Sequence, residues 1–339
     1  MKLFLKILMF LILALLVSYL LGPKMDYEAV DNQPIKLNLP IAELDSYVAE
    51  QESAYNDIKP DNESKIIWYD GVKKTEYALL YLHGFEASWA ESDPIITNLA
   101  ERYGMNLYLP RISEQGRTDI DALLDESPKG MVDSAKEAIA IAKLLGEKLI
   151  IFSCSTGSTY STYLAANDPD IYAQIMTSPN FDLEDQSSKL ITKPWGKQML
   201  KQIIGSDYRE FTPPPGAMPY WNNRYRIEGL IALRSLLDQT MTTEIWSQNK
   251  TPMLVLYYYE NEQKRDAIIS IEAIKAFEEV VKTPKDKLRI EAITASRGHV
   301  FTSKYMNDQW AVSQDTIFAF LEDVLQIGPA KSQLSTSTQ

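Results

Sequence analysis

Leu149-Ile150-Ile151-Phe152-Ser153-Cys154-Ser155-Thr156-Gly157-Ser158 is a short apolar run that stops at a turn of small residues. The residues beyond it, Thr159-Tyr160-Ser161-Thr162-Tyr163-Leu164-Ala165-Ala166-Asn167, can form a helix. Strand, tight turn and helix in that order put a serine on a sharp elbow, where the usual pattern is Gly-x-Ser-x-Gly. The register here is Ser153-Cys154-Ser155-Thr156-Gly157, which makes Ser155 the candidate nucleophile. Serine replaces the first glycine, and it is small enough for a place where strand and helix backbones approach closely. A Ser/Thr-rich loop capping an ordinary helix has much the same composition, so the stretch needs partners elsewhere in the chain. Cys154 is the rival nucleophile and the only cysteine. Phe152 and Thr156 stand where an elbow around it would want a small residue and glycine, so Cys154 reads as a packed side chain. A single cysteine also excludes an intrachain disulfide.

A serine hydroxyl attacks a carbonyl carbon only with a base beside it, and at neutral pH histidine suits that task. The chain has two histidines. His83 closes the apolar run at 77–82 and opens the turn His83-Gly84-Phe85-Glu86-Ala87-Ser88. Glycine lets the backbone turn there, and the amide after it can face an oxyanion. His83 itself is expected to be structural, with a ring nitrogen satisfied by backbone. That leaves His299, in Ser296-Arg297-Gly298-His299-Val300-Phe301 after the last strand pattern. The acid that orients the imidazole must lie between Ser155 and His299 in this chain order. Asp266, Glu260 and Glu262 are all within reach in sequence. Asp266 is favoured because Asp266-Ala267-Ile268-Ile269-Ser270 opens directly into a capped helix; Glu260 and Glu262 stay open. The backbone N–H groups of Phe85 and Thr156 are the candidate oxyanion donors.

Working outward, strand patterns at 65–69, 77–82, 106–109, 149–154 and 173–177 alternate with helical patterns at 95–103 and 130–145. That alternation predicts an α/β fold with a mostly parallel sheet flanked by helices. It breaks between 183 and 249, where no clear strand is legible, and a helical cap insertion is expected there. The Trp, Tyr and Met of that stretch suit either a pocket wall or an ordinary packed layer. The sheet resumes at 251–259 and 287–293, with Ser270 as a helix N-cap and a last amphipathic helix through Ile317, Phe320, Leu321 and Val324.

Residues 1–23 carry Lys2 and Lys6, an apolar run from Ile7 to Val17 and a Gly22-Pro23 stop. No small-residue cleavage site is evident, and the span is near the ~17–25 residues that cross a bilayer. An uncleaved N-terminal membrane anchor is favoured over a cleaved signal peptide. The basic end would stay in the cytoplasm and the body would lie outside it; cleavage would instead give a secreted or periplasmic protein. Residues 24–64 read as a polar spacer with one short helix at 41–53, residues 65–326 as the folded domain, and 327–339 as a disordered tail. The net charge of −12 argues against nucleic acid or an anionic membrane surface as the main partner, since both want basic patches. The expected partners are a small-molecule or lipid-like ester substrate and, through the N-terminal helix, a membrane. No clustered metal ligands or phosphate-binding loop appear, so no cofactor is expected.

Together, His83-Gly84-Phe85, Pro110-Arg111 before Gly116, the Ser155 elbow and Gly298-His299-Val300 resemble the α/β hydrolases. They are most similar to the carboxylesterase and monoacylglycerol-lipase-like branch. The resemblance covers about residues 65–326 and departs at Ser153 and in the charge-rich loop around Asp266. It implies an eight-stranded sheet with a cap after the sixth strand, and a serine hydrolase cleaving carboxylic esters with a Ser155, Asp266, His299 triad. Peptidases and acyltransferases share that scaffold, and a non-catalytic binding protein of the same fold is the remaining alternative.

Overall fold

The computed structural model describes residues 1–330. The apolar runs form strands β1 (Lys65–Ile67), β2 (Thr75–Leu82), β3 (Asn106–Leu109), β4 (Gly146–Cys154) and β5 (Ile171–Thr177). After the insertion, which holds β6 (Tyr208–Glu210) and β7 (Arg224–Arg226), come β8 (Met253–Asn261), β9 (Lys264–Arg265) and β10 (Leu288–Ile293). The main sheet runs β1-β3-β2-β4-β5-β8-β10, with β9 folded back on β8 as its eighth strand. Only β1 and β9 are antiparallel to their neighbours.

Helices α1 (Lys2–Leu20), α2 (Leu44–Ser53), α3 (Ile95–Tyr103), α4 (Pro128–Leu145) and α5 (Thr156–Ala165) precede the insertion. It contributes α6 (Gly196–Ile204), α7 (Ile227–Thr240) and α8 (Thr243–Trp246), and α9 (Ile271–Val280) and α10 (Trp310–Ala319) follow. Side chains of a strand alternate between faces, and β2 divides accordingly. Leu79 and Tyr81 pack with Ile95 and Leu99 of α3 and Ile317 of α10, while Ala78, Leu80 and Leu82 pack with Met131 and Ala135 of α4. Both faces are thus covered, as the unbroken apolar runs require. Tyr81 meets Phe152 of β4 edge-on at 5.4 Å. Each such fully buried large side chain contributes about 1.5–3 kcal/mol. Ser127 caps α4, accepting from the Gly130 N–H with Pro128 next to it, so that helix begins two residues before the periodic pattern becomes visible.

Three expectations change. The insertion is not purely helical: β6 and β7 pair antiparallel, and Arg224 stacks 3.5 Å over the Tyr208 ring. Three-residue strands are too short to show alternation in a sequence. The insertion also leaves after the fifth strand rather than the sixth, because the chain before β1 forms α2 and irregular backbone, not another strand. Residues 24–64, read as a spacer, lie against the domain. Leu44 and Val48 of α2 are buried in its core, the Arg111 guanidinium reaches Glu52 at 3.0 Å, and the Val30 N–H donates to Gln239. At the other end, Ile327 is buried and the Ala330 N–H donates to the Arg102 carbonyl. Positions 331–339 of the expected tail lie outside the described residues.

Helix α1 has a mean hydropathy of 2.6 with none of its span buried, which makes it long and apolar enough to cross a membrane.

Candidate active site

Strand β4 ends at Cys154 and α5 begins at Thr156, leaving Ser155 alone at the elbow. Its φ of 51° and ψ of −118° lie in a region that side chains rarely adopt. The backbone around it holds that conformation: the Ser155 N–H donates to the Thr177 carbonyl, and its own carbonyl accepts from Ser158 and Asn180. Gly157 is where helix meets strand. A Cβ built on it would lie 1.9 Å from the Leu82 carbonyl oxygen. Gly157→Ala therefore cannot be absorbed by a side-chain rotation, and overpacking of backbone on backbone costs about 3 kcal/mol. Thermal unfolding followed by circular dichroism should show a lowered melting temperature. Ser153, the departure from the usual glycine, is buried, with its hydroxyl 3.1 Å from Ser158 Oγ and 3.3 Å from the Ile175 carbonyl oxygen. The extra hydroxyl is satisfied, and the elbow accommodates it.

His299 follows β10 behind Gly298, whose φ of 94° suits glycine. Its Nε2 is 2.9 Å from Ser155 Oγ and its Nδ1 is 2.8 Å from Asp266 Oδ2. Asp266 reaches the site because β8 and β9 form a hairpin: β9 turns back along β8, and the Asp266 N–H donates to the Tyr258 carbonyl. Its Oδ1 accepts from the amides of Ile268 (2.8 Å) and Ile269 (3.3 Å). Burial alone would raise the Asp266 carboxyl, but the His299 ring and those two amides hold it below the ordinary carboxylate value. Burial would lower His299, and the Asp266 carboxylate overcomes that and leaves its pKa raised. Glu260 and Glu262 face other partners. Glu260 pairs with Arg297 at 3.0 Å and Lys264, and Glu262 with Arg265 and the Tyr259 hydroxyl.

The turn after β2 lies against the serine, since a Cβ on Gly84 would be 3.1 Å from Ser155 Cβ. His83 is fully buried, with Nδ1–H donating to the Gly84 carbonyl at 2.9 Å and Nε2 accepting from the Ile112 N–H at 3.1 Å. Burial pushes its pKa down to about 4, so it braces the turn as a neutral ring. Thr156 is the first residue of α5, where an N–H has no carbonyl a turn earlier to bond, and the Phe85 N–H has no acceptor among the described residues. Both amides are left for another acceptor.

Two carboxyls of this turn escaped the sequence reading. Glu91 lies under Gly84, accepting its N–H at 2.6 Å and the Tyr81 hydroxyl at 2.9 Å. Glu86 has a left-handed φ of 64°, with its N–H bound to Gln115 and its carbonyl to the Asn222 N–H of the insertion. Burial raises both, Glu86 to about 8. Two acids directly behind a buried strand were the available signal.

The fold recurs in solved structures. A metagenome-derived lipolytic enzyme matches with a TM-score of 0.59 at 14% identity, over 78% of this chain and 99% of its own. This protein has the α/β-hydrolase fold. A soluble variant of monoglyceride lipase from Saccharomyces cerevisiae, in complex with a substrate analogue, matches this chain at 0.55 and 10% identity, over 77% and 91% of the two chains. The enol-lactonase from Burkholderia xenovorans LB400 gives 0.51 and 12%, over 76% and 95%. No protein-family model matches the sequence, and the comparison with curated proteins gives no match.

The insertion of this α/β-hydrolase-fold domain covers the serine. Phe211 and Trp221 pack with Ala87 and Val300 on one side, and Phe211 and Tyr225 pack with Phe85 and Leu123 on the other. Ser155 keeps only 7% of its surface. A separate cavity of about 550 Å³ opens between Phe181, Asp182, Arg234, Trp246 and Ser270, away from Ser155 and His299. Among the described residues, no group of three or more His, Cys, Asp or Glu side chains is arranged to hold a metal ion.

Proposed function

We propose that this α/β-hydrolase cleaves carboxylic esters, of the carboxylesterase or monoacylglycerol-lipase type, through an acyl-enzyme on Ser155. Its Oγ attacks the ester carbonyl while His299 Nε2 takes the proton. The tetrahedral oxyanion is held by the Phe85 and Thr156 amides, and removing one such donor typically costs about 3–4 kcal/mol of barrier. His299 then gives the proton to the leaving alkoxide, and a water deprotonated by His299 releases the acid. Asp266 keeps the proton of neutral His299 on Nδ1 and stabilises the imidazolium. What carries this reading is the unbroken hydrogen-bonded chain from Ser155 Oγ through His299 to buried Asp266. The neighbours whose names include lipase and lipolytic enzyme favour an ester over an amide. With α1 as an uncleaved anchor, the domain would lie at the membrane, outside the cytoplasm.

The test is labelling of the purified full chain with a fluorophosphonate, beside turnover of esters graded by acyl length. Serine phosphonylation together with ester turnover is the expected result. A folded protein that takes no label would sink the hydrolase reading, and product formed on an added alcohol or amine in preference to water would turn it into an acyltransferase.

A further inference from the structure

The insertion carries a surface at odds with the charge of the chain. Between Gln186 and Ser206 lie Lys189, Lys193, Lys197 and Lys201, four residues apart in turn, and no acidic residue, in a protein of net charge −12. Apolar residues share this stretch, and the fold leaves them open. Helix α6 spans it, yet Gly196 is its only buried residue. Leu190 is 50% exposed, Trp195 43% and Ile203 73%, while Met199, Leu200 and Ile204 are half-covered. Isolated exposed apolar side chains are ordinary, but a helix that keeps an apolar arc open beside a run of lysines is not.

The stretch also touches α1, the one candidate membrane span among the described residues. The Trp195 indole N–H donates to the Ser18 carbonyl at 3.2 Å, and its backbone N–H to the Pro23 carbonyl at 2.8 Å. The Trp195 ring packs on Gly22, where a Cβ would lie 2.0 Å from Nε1. At 1.5 Å per residue, the nine residues of α6 extend about 14 Å from that contact. The whole helix is therefore near the point where α1 would leave a bilayer.

We propose that segment 189–204 is a membrane-docking surface that lies in the headgroup layer of an anionic phospholipid bilayer at the foot of α1. An amphipathic helix with lysines beside an apolar face, and with tryptophan at its edge, partitions into that layer. Lysine and anionic headgroups attract each other over about a Debye length, ~8 Å at physiological salt. Lys189, Lys197 and Lys201 also reach Asp182, Glu228 and Asp207, yet remain 50%, 38% and 54% exposed. Lys193 is exposed and has no ion pair among the described residues. The docking rests on α1 spanning the membrane. Its consequence, that the cover over Ser155 faces lipid and a lipid-borne ester enters from the bilayer, rests on the proposed hydrolase activity.

Nitroxide labels at Ile203→Cys and, separately, Leu11→Cys in the full chain, reconstituted into phosphatidylglycerol/phosphatidylcholine vesicles, test it. Buried Cys154 is the only native thiol. Collision with oxygen and with a water-soluble nickel chelate gives the depth of each label. Position 11 is expected in the hydrocarbon and position 203 at headgroup depth. Adding Lys193→Glu and Lys201→Glu is expected to shift position 203 at least severalfold toward the chelate. A lipid-exposed position 11 with an aqueous position 203 overturns docking alone, and an aqueous position 11 overturns the span and docking together. Dipolar broadening at 203, with neither collider reaching it, would put a second copy there and also overturn the proposal. Turnover of a water-soluble short-chain ester by the same vesicles reads the serine chemistry separately.

Discussion

Ser155→Ala is expected to abolish fluorophosphonate labelling and to lower kcat for ester hydrolysis by on the order of 10⁶-fold. Alanine leaves the bonds that set the elbow intact, because Ser155 is held through its backbone to Thr177, Ser158 and Asn180. The melting temperature should stay near that of the wild type, which separates lost chemistry from lost fold. His299→Ala should cost a similar factor, and the double variant little more than either single one, since a nucleophile without its base and a base without its nucleophile are equally idle. Multiplying losses would mean that the two residues do not act as a unit. The pH profile is a second readout. As the proposed base, His299 would work in its unprotonated form, so kcat/KM should fall as pH drops through its pKa. Because Asp266 leaves that pKa raised despite burial, the acid limb is expected above 6.5. A flat profile from pH 5 to 8 would contradict a histidine base.

Much of this was legible in the sequence because the sheet is covered on both faces. Continuous apolar runs such as 77–82 and 149–154 have few other uses, and the scarcity of histidine narrowed the candidate base to His299, which lies 2.9 Å from Ser155 Oγ. The range of α3 was readable in full, since its apolar stripe ends at Gly104, which takes the left-handed stop. What escaped depends on contacts distant in sequence. A helix at 41–53 was visible, but not that Leu44 and Val48 would be buried in one core with Met131 and Ala135 of α4, because two apolar residues in a polar stretch do not announce a core. The β6–β7 ribbon is held by Arg224 on Tyr208, a pairing across sixteen residues that no local period encodes. Glu86 and Glu91 drew no reading from the sequence, and the contact of Glu91 with Gly84 and Tyr81 follows only from how the turn closes over Ser155. The choice among Asp266, Glu260 and Glu262 turned on one hairpin, since without β9 folding back, Asp266 would be the residue farthest from the strand end.

That hairpin underlies the second large effect. Asp266→Asn is expected to lower kcat by about 10⁴-fold while leaving Ser155 and His299 in place. Asp266 Oδ1 accepts the Ile268 and Ile269 amides, and an asparagine carbonyl oxygen can take over both bonds. The amide nitrogen is then turned toward His299 Nδ1 and donates where the carboxylate accepted. A neutral ring must answer by moving its proton to Nε2, the nitrogen that faces Ser155 Oγ, and in that tautomer it cannot act as base. Removing the carboxylate also removes what holds the His299 pKa up against burial, so the acid limb of the residual activity should move to lower pH. Glu260→Gln and Glu262→Gln are the controls, because their carboxylates face Arg297 and Lys264, and Arg265 and Tyr259, away from the ring. Each should stay within a few-fold of wild type. A large loss at Glu260 or Glu262, with Asp266→Asn near wild type, would move the acid to the other side of the hairpin and mean that the 2.8 Å contact between Asp266 and His299 is not the one used in catalysis.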